Sequence, residues 1–212
     1  MRALVIGATG STGKELVNQL LNDNDWTSVL IFVRRSINRT HPKLTEHIVD
    51  FSNVDSFKDL VVGDVLFSCL GTTLKTAGSR KNQWKIDFDI PAVLAKSARG
   101  NQVNTFVLVS SYGASVKSKV FYSQMKGKLE DYIESLCFKQ FLIFRPGPLI
   151  REGSDRIGET ISVKFIKLFN VVGLFKYIRP ISTVFLAQKL LKAPKKSPLG
   201  MTIFELNQIL AL

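Results

Sequence analysis

Gly7-Ala8-Thr9-Gly10-Ser11-Thr12-Gly13 stands between the first apolar run of the chain, Ala3–Gly7, and a helical pattern over Lys14–Leu21. Glycine permits the tight turn that joins a strand to a helix and lets another backbone, or a ligand, approach closely. The N–H groups that open such a helix have no intrahelical partner and attract an anion, a pyrophosphate in particular. The spacing is G-x-x-G-x-x-G, and its place after the first strand constrains the chain to a βα architecture built around that turn.

The rest of the chain alternates in the same way. Ser28–Val33, His47–Phe51, Asp64–Gly71, Thr105–Ser111 and Gln140–Arg145 read as strands, and Val54–Leu60, Ile86–Ala98 and Val120–Leu136 as helices. Leu129, Tyr132, Ile133 and Leu136 share one helical face. Several strand runs are apolar throughout, as expected where helices cover both faces of a sheet. Strand–helix alternation with right-handed crossovers predicts an α/β fold, a doubly wound parallel sheet of the Rossmann type. The alternation stops after Arg145-Pro146-Gly147-Pro148, and residues 149–180 read as a small C-terminal cap inserted in a single domain, 1–212. A helix over Ser182–Leu191 and a strand over Thr202–Leu206 close the chain.

At 212 residues the chain has the length of one domain and can bury a core without staples. With 45% hydrophobic and 22% charged residues, a disordered, collagenous or disulfide-framework protein is excluded. Cys69 and Cys137 have no C-x-x-C spacing and read as buried small hydrophobes. His41 and His47, the only histidines, have no ligand cluster around them and read as loop or strand-surface residues, so no metal is expected. Met1-Arg2 leads straight into the first strand with no signal-peptide pattern, and the uncharged stretch Gly100–Val116 is too polar to span a bilayer. The expectation is a soluble, cytoplasmic protein.

The net charge is +12. Thr160–Phe204 holds no acidic residue but Lys164, Lys167, Lys176, Arg179, Lys189, Lys192, Lys195 and Lys196, eight positive charges. Such a face serves solubility or faces an anionic substrate, a peripheral membrane surface or a protein partner. Nucleic acid is disfavoured, because the basic residues are dispersed and no recognition motif frames them.

Two further signals carry chemistry. Arg34-Arg35 end the second strand, where an acidic residue would accept from a ribose 2′-hydroxyl; two guanidinium groups instead offer forked donors to a 2′-phosphate. Tyr122 and Lys126 stand one helical turn apart, where the ammonium is expected to lower the pKa of the phenol toward values useful for proton transfer. Ser110-Ser111 end the preceding strand on the edge that carries the glycine turn.

Together these residues, with Arg145-Pro146-Gly147, resemble the short-chain dehydrogenase/reductase superfamily, and more closely its atypical branch that includes the Tat-interacting protein 2 family of NAD(P)H-binding oxidoreductase-like proteins. GATGSTGKEL, FVRR, VDF, CLGTT, AGSR, LVSSYGA, YSQMKG and FRPG carry the likeness in order from Gly7 to Gly147, about two thirds of the chain. The resemblance implies a phosphate loop of Gly7, Thr9, Gly10, Ser11, Thr12 and Gly13, with Arg34 and Arg35 on the 2′-phosphate and Asp50 near adenine. It implies Leu70 and Gly71 beside the second ribose, and Pro146, Gly147 and Leu149 along the nicotinamide pocket. Tyr122 becomes the proton donor, Lys126 its partner and a ribose ligand, and Ser111 the group that polarises a carbonyl, with Ser110 the alternative.

The expected function is NADPH-dependent reduction of a small or lipophilic carbonyl substrate, with NADP(H) preferred over NAD(H). Phe165, Phe169 and Phe175, within Ile161–Ile178, would form a substrate lid or the plain core of the cap. Two alternatives stand beside this reading. One is a regulatory or scaffold protein that binds NADP(H) without turnover. The other is a sugar-nucleotide epimerase or dehydratase, which the short insertion disfavours.

Overall fold

Leu4 and Ile6 alternate along the first strand with Ala3 and Val5, and all four are fully buried because each face of that strand packs against a helical layer. The computed structural model describes residues 1–150 and 180–212. Its strands β1 (Arg2–Ile6), β2 (Ser28–Val33), β3 (Leu44–Ile48), β4 (Val65–Ser68), β5 (Thr105–Val109), β6 (Gln140–Arg145) and β9 (Gly200–Glu205) form one parallel sheet in the order β3-β2-β1-β4-β5-β6-β9. Leu149–Ile150 (β7) and Ile181–Ser182 (β8) form a separate two-stranded parallel pair.

Two helices, α1 (Ser11–Asn22) and α6 (Thr183–Lys196), cover one face over a core of Leu16, Leu20, Trp26, Phe67, Phe144 and Leu190. The other face carries α4 (Ile90–Gly100) and α5 (Phe121–Ser135), packed on Leu4, Ile6, Phe32, Leu66 and Phe106. The face read on α5 is the buried one: Leu129 and Ile133 are fully enclosed, with Tyr132 and Leu136 packed beside them. Helix α7 (Asn207–Ala211) ends the chain.

Some sequence expectations need correction. The third strand lies at Leu44–Ile48 rather than His47–Phe51, leaving Asp50 in the turn beyond it, where its carboxylate accepts the Ser52 N–H at 2.8 Å. Val54–Leu60 is two short 3₁₀ turns, Val54–Ser56 and Lys58–Leu60, because Phe57 leaves helical geometry at φ −141° to pack between Phe32 and Phe51. The helix before β5 begins far upstream of Ile86. Thr73 caps α2 (Leu74–Ala77), which stops at Gly78 with φ +78°, and Ser79 caps α3 (Arg80–Trp84). A π-helical turn at Lys85–Asp89 then runs into α4, whose first turn holds Pro91, a residue with no N–H to offer.

Cys137 is exposed beyond α5, not buried, and Cys69 is half-buried; both are free thiols. Of the expected cap, all but its two ends falls outside the described residues, as do Phe165, Phe169, Phe175, Lys164, Lys167, Lys176 and Arg179. Within the described part of the basic quarter, Lys195 pairs with Asp25 at 2.5 Å and Asp23 at 3.1 Å, so it holds α6 to the end of α1. No helix among the described residues is long and apolar enough to cross a membrane.

Candidate active site

The strand order reverses between β1 and β4, and the loops leaving the C-terminal ends of β1, β4, β5 and β6 meet along that edge, the position where open α/β sheets take ligands. The glycine turn is built into it. Gly7 has φ +79°, and a Cβ there would stand 2.6 Å from the carbonyl carbon of Cys69. Gly10 N–H donates to Gly7 O at 2.9 Å, and Gly10 O accepts from Lys14 N–H at 2.8 Å, which closes the turn and starts α1. No side chain among the described residues caps α1. Thr9 and Gly10 are exposed, Ser11 is half-buried, and Thr12 is buried in the helix. A Cβ on Gly71 would meet nothing within 4 Å among the described residues, leaving room after β4.

Arg34 and Arg35 emerge exposed at the end of β2. Asp50 is exposed too, and the backbone and hydroxyl of Ser52 hold its carboxyl below the usual carboxylate range, with Lys85 adding to the effect. His41 accepts the Lys43 N–H through Nδ1, and His47 stacks on Phe32, so both imidazoles have structural partners. Among the described residues no group of His, Cys, Asp or Glu is arranged to hold a metal.

Lys126 is 1% exposed, and its Nζ lies 3.4 Å from both Leu70 O and Val109 O, between the ends of β4 and β5. It stands 5.9 Å from the centroid of the Tyr122 ring, one turn back on α5. Close packing makes this possible: a Cβ on Gly127 would lie 2.4 Å from the carbonyl carbon of Ser115, so only glycine lets α5 press against the loop after β5. Burial pushes the Lys126 ammonium down, against Asp87, Glu130 and Cys69, which hold it up. Burial also pushes the Cys69 thiol up to about 12.

The lowered pKa expected for Tyr122 is not found. Burial raises it above the ordinary phenol value, and the Asp87 carboxylate raises it further. Tyr122 is therefore a neutral phenol at physiological pH.

The two serines are not equivalent. The Ser110 hydroxyl donates to the buried carboxylate of Glu130, which Arg145 also grips. The Ser111 Oγ is buried with no hydrogen-bond partner among the described residues. Downstream, Pro146 O accepts the Tyr112 N–H at 2.9 Å, joining the loops after β5 and β6, while Gly147 and Leu149 lie half-buried beside them.

Sequence reading missed Asp87 and Gln83. Asp87 accepts the Thr72 N–H at 2.9 and 3.1 Å, and Gln83 Nε2 donates to Thr72 O at 2.9 Å, so together they clamp the loop after β4. Nothing in their spacing announces this, because a π turn aims Asp87 inward. Glu130 was likewise hidden, although its position four residues after Lys126 places it on the same face.

The parallel sheet and the glycine turn that leaves its first strand define a Rossmann protein of the NAD(P)-binding class. The profile of the NAD(P)H-binding family matches residues 7–161. Protein FMP52, mitochondrial, of Eremothecium gossypii is 37% identical over 173 residues, covering 79% of this chain and 76% of its own. Protein HTATIP2 of Rattus norvegicus is 32% identical over 185 residues, covering 85% and 76%. MoeE5 in complex with UDP-glucuronic acid and NAD superposes with a TM-score of 0.75 at 16% identity, covering 97% of this chain and 76% of that one. A short-chain dehydrogenase/reductase superfamily protein from Agrobacterium tumefaciens with bound NAD gives 0.74 at 13%, covering 97% and 77%. At those identities the structural likeness shows the fold alone.

The chain belongs to the NAD(P)H-binding, oxidoreductase-like family that contains FMP52 and HTATIP2. These relatives also overturn the expectation of a cytoplasmic protein, since the FMP52 proteins of E. gossypii, Meyerozyma guilliermondii and Saccharomyces cerevisiae are all named mitochondrial. That expectation rested on the lack of a signal-peptide pattern and of a bilayer-spanning stretch, and neither absence specifies a compartment.

Proposed function

We propose that the protein is an NADPH-dependent reductase of a small or lipophilic carbonyl compound, acting through Ser111, Tyr122 and Lys126. The observation that carries the reading is the buried Ser111 Oγ, without a hydrogen-bond partner among the described residues, on the sheet edge where Lys126 and Tyr122 stand. A buried hydroxyl without a partner costs free energy, and a substrate oxygen is the kind of acceptor that would satisfy it.

The residues present fit the dinucleotide. The uncapped opening of α1 with Gly7, Thr9, Gly10, Ser11, Thr12 and Gly13 would hold the pyrophosphate, Thr12 through its backbone since its side chain is buried. Arg34 and Arg35 would hold the 2′-phosphate, giving NADP(H) preference over NAD(H). Asp50 would stand near adenine, the space at Leu70 and Gly71 would take the second ribose with Lys126, and Pro146, Gly147 and Leu149 would line the nicotinamide pocket. Bound NADPH would supply the reducing equivalent.

Ser111 would donate a hydrogen bond to the carbonyl oxygen as negative charge develops there, and Tyr122 would pass its phenolic proton to that oxygen. The raised Tyr122 pKa suits this direction, because the acid is loaded at neutral pH. The Lys126 ammonium would stabilise the phenolate left behind. A mitochondrial location is part of the proposal and is supported by the names of the FMP52 relatives.

Nicotinamide fluorescence during titration with NADPH and NADH, followed by a panel of aldehydes and ketones with wild type and Tyr122→Phe, tests the reading. NADPH preference with turnover lost in Tyr122→Phe supports it. NADPH binding without turnover of any carbonyl refutes the reductase and leaves a cofactor-binding regulator.

A further inference from the structure

Glu130 sits on α5 one turn beyond Lys126, with a side chain 5% exposed. Its Oε1 accepts the Ser110 hydroxyl and Arg145 Nε, the latter at 3.0 Å, and its Oε2 accepts Arg145 Nη2 at 2.5 Å. Arg145 Nη1 donates to Glu205 Oε1 at 2.7 Å. One carboxylate thus ties α5 to the ends of β5 and β6, and through Arg145 to β9. Buried ion pairs stabilise a fold little more than well-packed apolar groups of the same shape, so stability alone does not account for this one.

Its placement suggests another use. Ser110 N–H pairs with Phe144 O at 2.7 Å and Tyr112 N–H with Pro146 O at 2.9 Å, so the backbone is fastened on both sides of Ser111 while the Ser111 hydroxyl has no partner among the described residues. The Ser110 side chain adds a side-chain tether from this turn to the buried carboxylate on α5. Lys126, the other neighbour of Glu130, is faced by Asp87 from the π turn, Cys69 from the end of β4, and Tyr122 and Glu130 from its own helix.

We infer that Glu130 is a positioning residue of the reaction centre: through Ser110 it fixes the turn that carries Ser111, and, one helical turn from Lys126, it sets its carboxylate charge beside that buried ammonium. The first half rests on the reductase reading; the second does not. Replacing Glu130 by an amide removes a carboxylate near the ammonium and leaves the Arg145 guanidinium uncompensated on that side, and both changes favour loss of the Lys126 proton.

The charge role is read in the ligand-free protein by ¹³C NMR of the lysine Cε groups, with the Lys126 resonance assigned through Lys126→Arg. In Glu130→Gln the Lys126 midpoint is expected to fall by at least about half a pH unit, and Glu130→Asp to restore most of it. An unmoved midpoint in folded Glu130→Gln protein overturns the charge role. Should Glu130→Gln not fold, the double variant Glu130→Gln/Arg145→Met removes both buried charges together, and a smaller fall in the midpoint is expected, with no fall counting against the inference.

The tether is read with Ser110→Ala, for which kcat is expected to drop about tenfold or more while the KM for NADPH and the Lys126 midpoint stay in place. Undiminished kcat overturns it. A wild type that binds NADPH but reduces no carbonyl refutes the reductase reading and the tether with it, while the NMR titration still decides the charge role.

Discussion

A Cβ on Gly13 would stand 2.1 Å from the carbonyl oxygen of Gly7, closer than any side chain can come to backbone. The start of α1 is pressed onto the end of β1 at that contact. Gly71 is its opposite, with nothing among the described residues within 4 Å of a Cβ. Gly13→Ala is therefore expected to destabilise the fold by about 1–3 kcal/mol or more and to abolish NADPH binding, because the helix must shift. Gly71→Ala should unfold within about 0.5 kcal/mol of wild type and weaken only the nucleotide. Urea unfolding beside a fluorescence titration separates the two.

Arg34 and Arg35 are exposed, and their loss leaves the core untouched. Hydrogen bonds to charged groups contribute about 1.5–3 kcal/mol each, so Arg34→Ala/Arg35→Ala should lower NADPH affinity at least about tenfold. NADH affinity and the urea midpoint should not move. Equal losses for both nucleotides would point to a general electrostatic effect instead.

Ser110 and Ser111 should respond in opposite ways. Ser111→Ala removes a hydroxyl that has no partner among the described residues, so stability should hold or rise slightly while carbonyl turnover falls about 10²- to 10³-fold. Ser110→Ala breaks a bond to a buried carboxylate and should cost about 1.5–3 kcal/mol in unfolding free energy. Loss of stability in Ser111→Ala would mean that its hydroxyl has a structural partner after all.

The raised pKa values of Cys69 and Tyr122 set the alkaline limit. Each group keeps its proton in the folded chain at a pH where the unfolded chain has released it. Their contribution is thus fully present below the ordinary thiol and phenol values and is lost as pH rises; for Cys69 the loss runs from the ordinary thiol range toward about 12. Lys126 works against this trend, since its lowered pKa makes stability rise with pH between its folded value and the ordinary lysine value. Cys69→Ala should flatten the decline in urea midpoint between pH 8.5 and pH 11, and an unchanged slope would rule the thiol out as its cause.

Strands β2 and β6 were legible to the residue, because apolar runs such as Val29–Val33 and Phe141–Phe144 fit a strand covered on both faces. The α5 face was legible too, and so were the glycine turn and the spacing of Tyr122 and Lys126. Local pattern failed where a single residue had to serve the core: Phe57 broke the helix expected around it, and the π turn redirected Asp87.

By itself the sequence determined the doubly wound sheet, the phosphate-type turn and the residues gathered at one edge, since apolar periodicity and glycine spacing act within a few residues. Only the tertiary structure decided which of the two serines is spoken for, which way the Tyr122 pKa moves, and that Arg145 links the buried Glu130 to Glu205 in one network. Those outcomes depend on desolvation and on charges brought together from distant strands, and neither is a property of any stretch of sequence read alone.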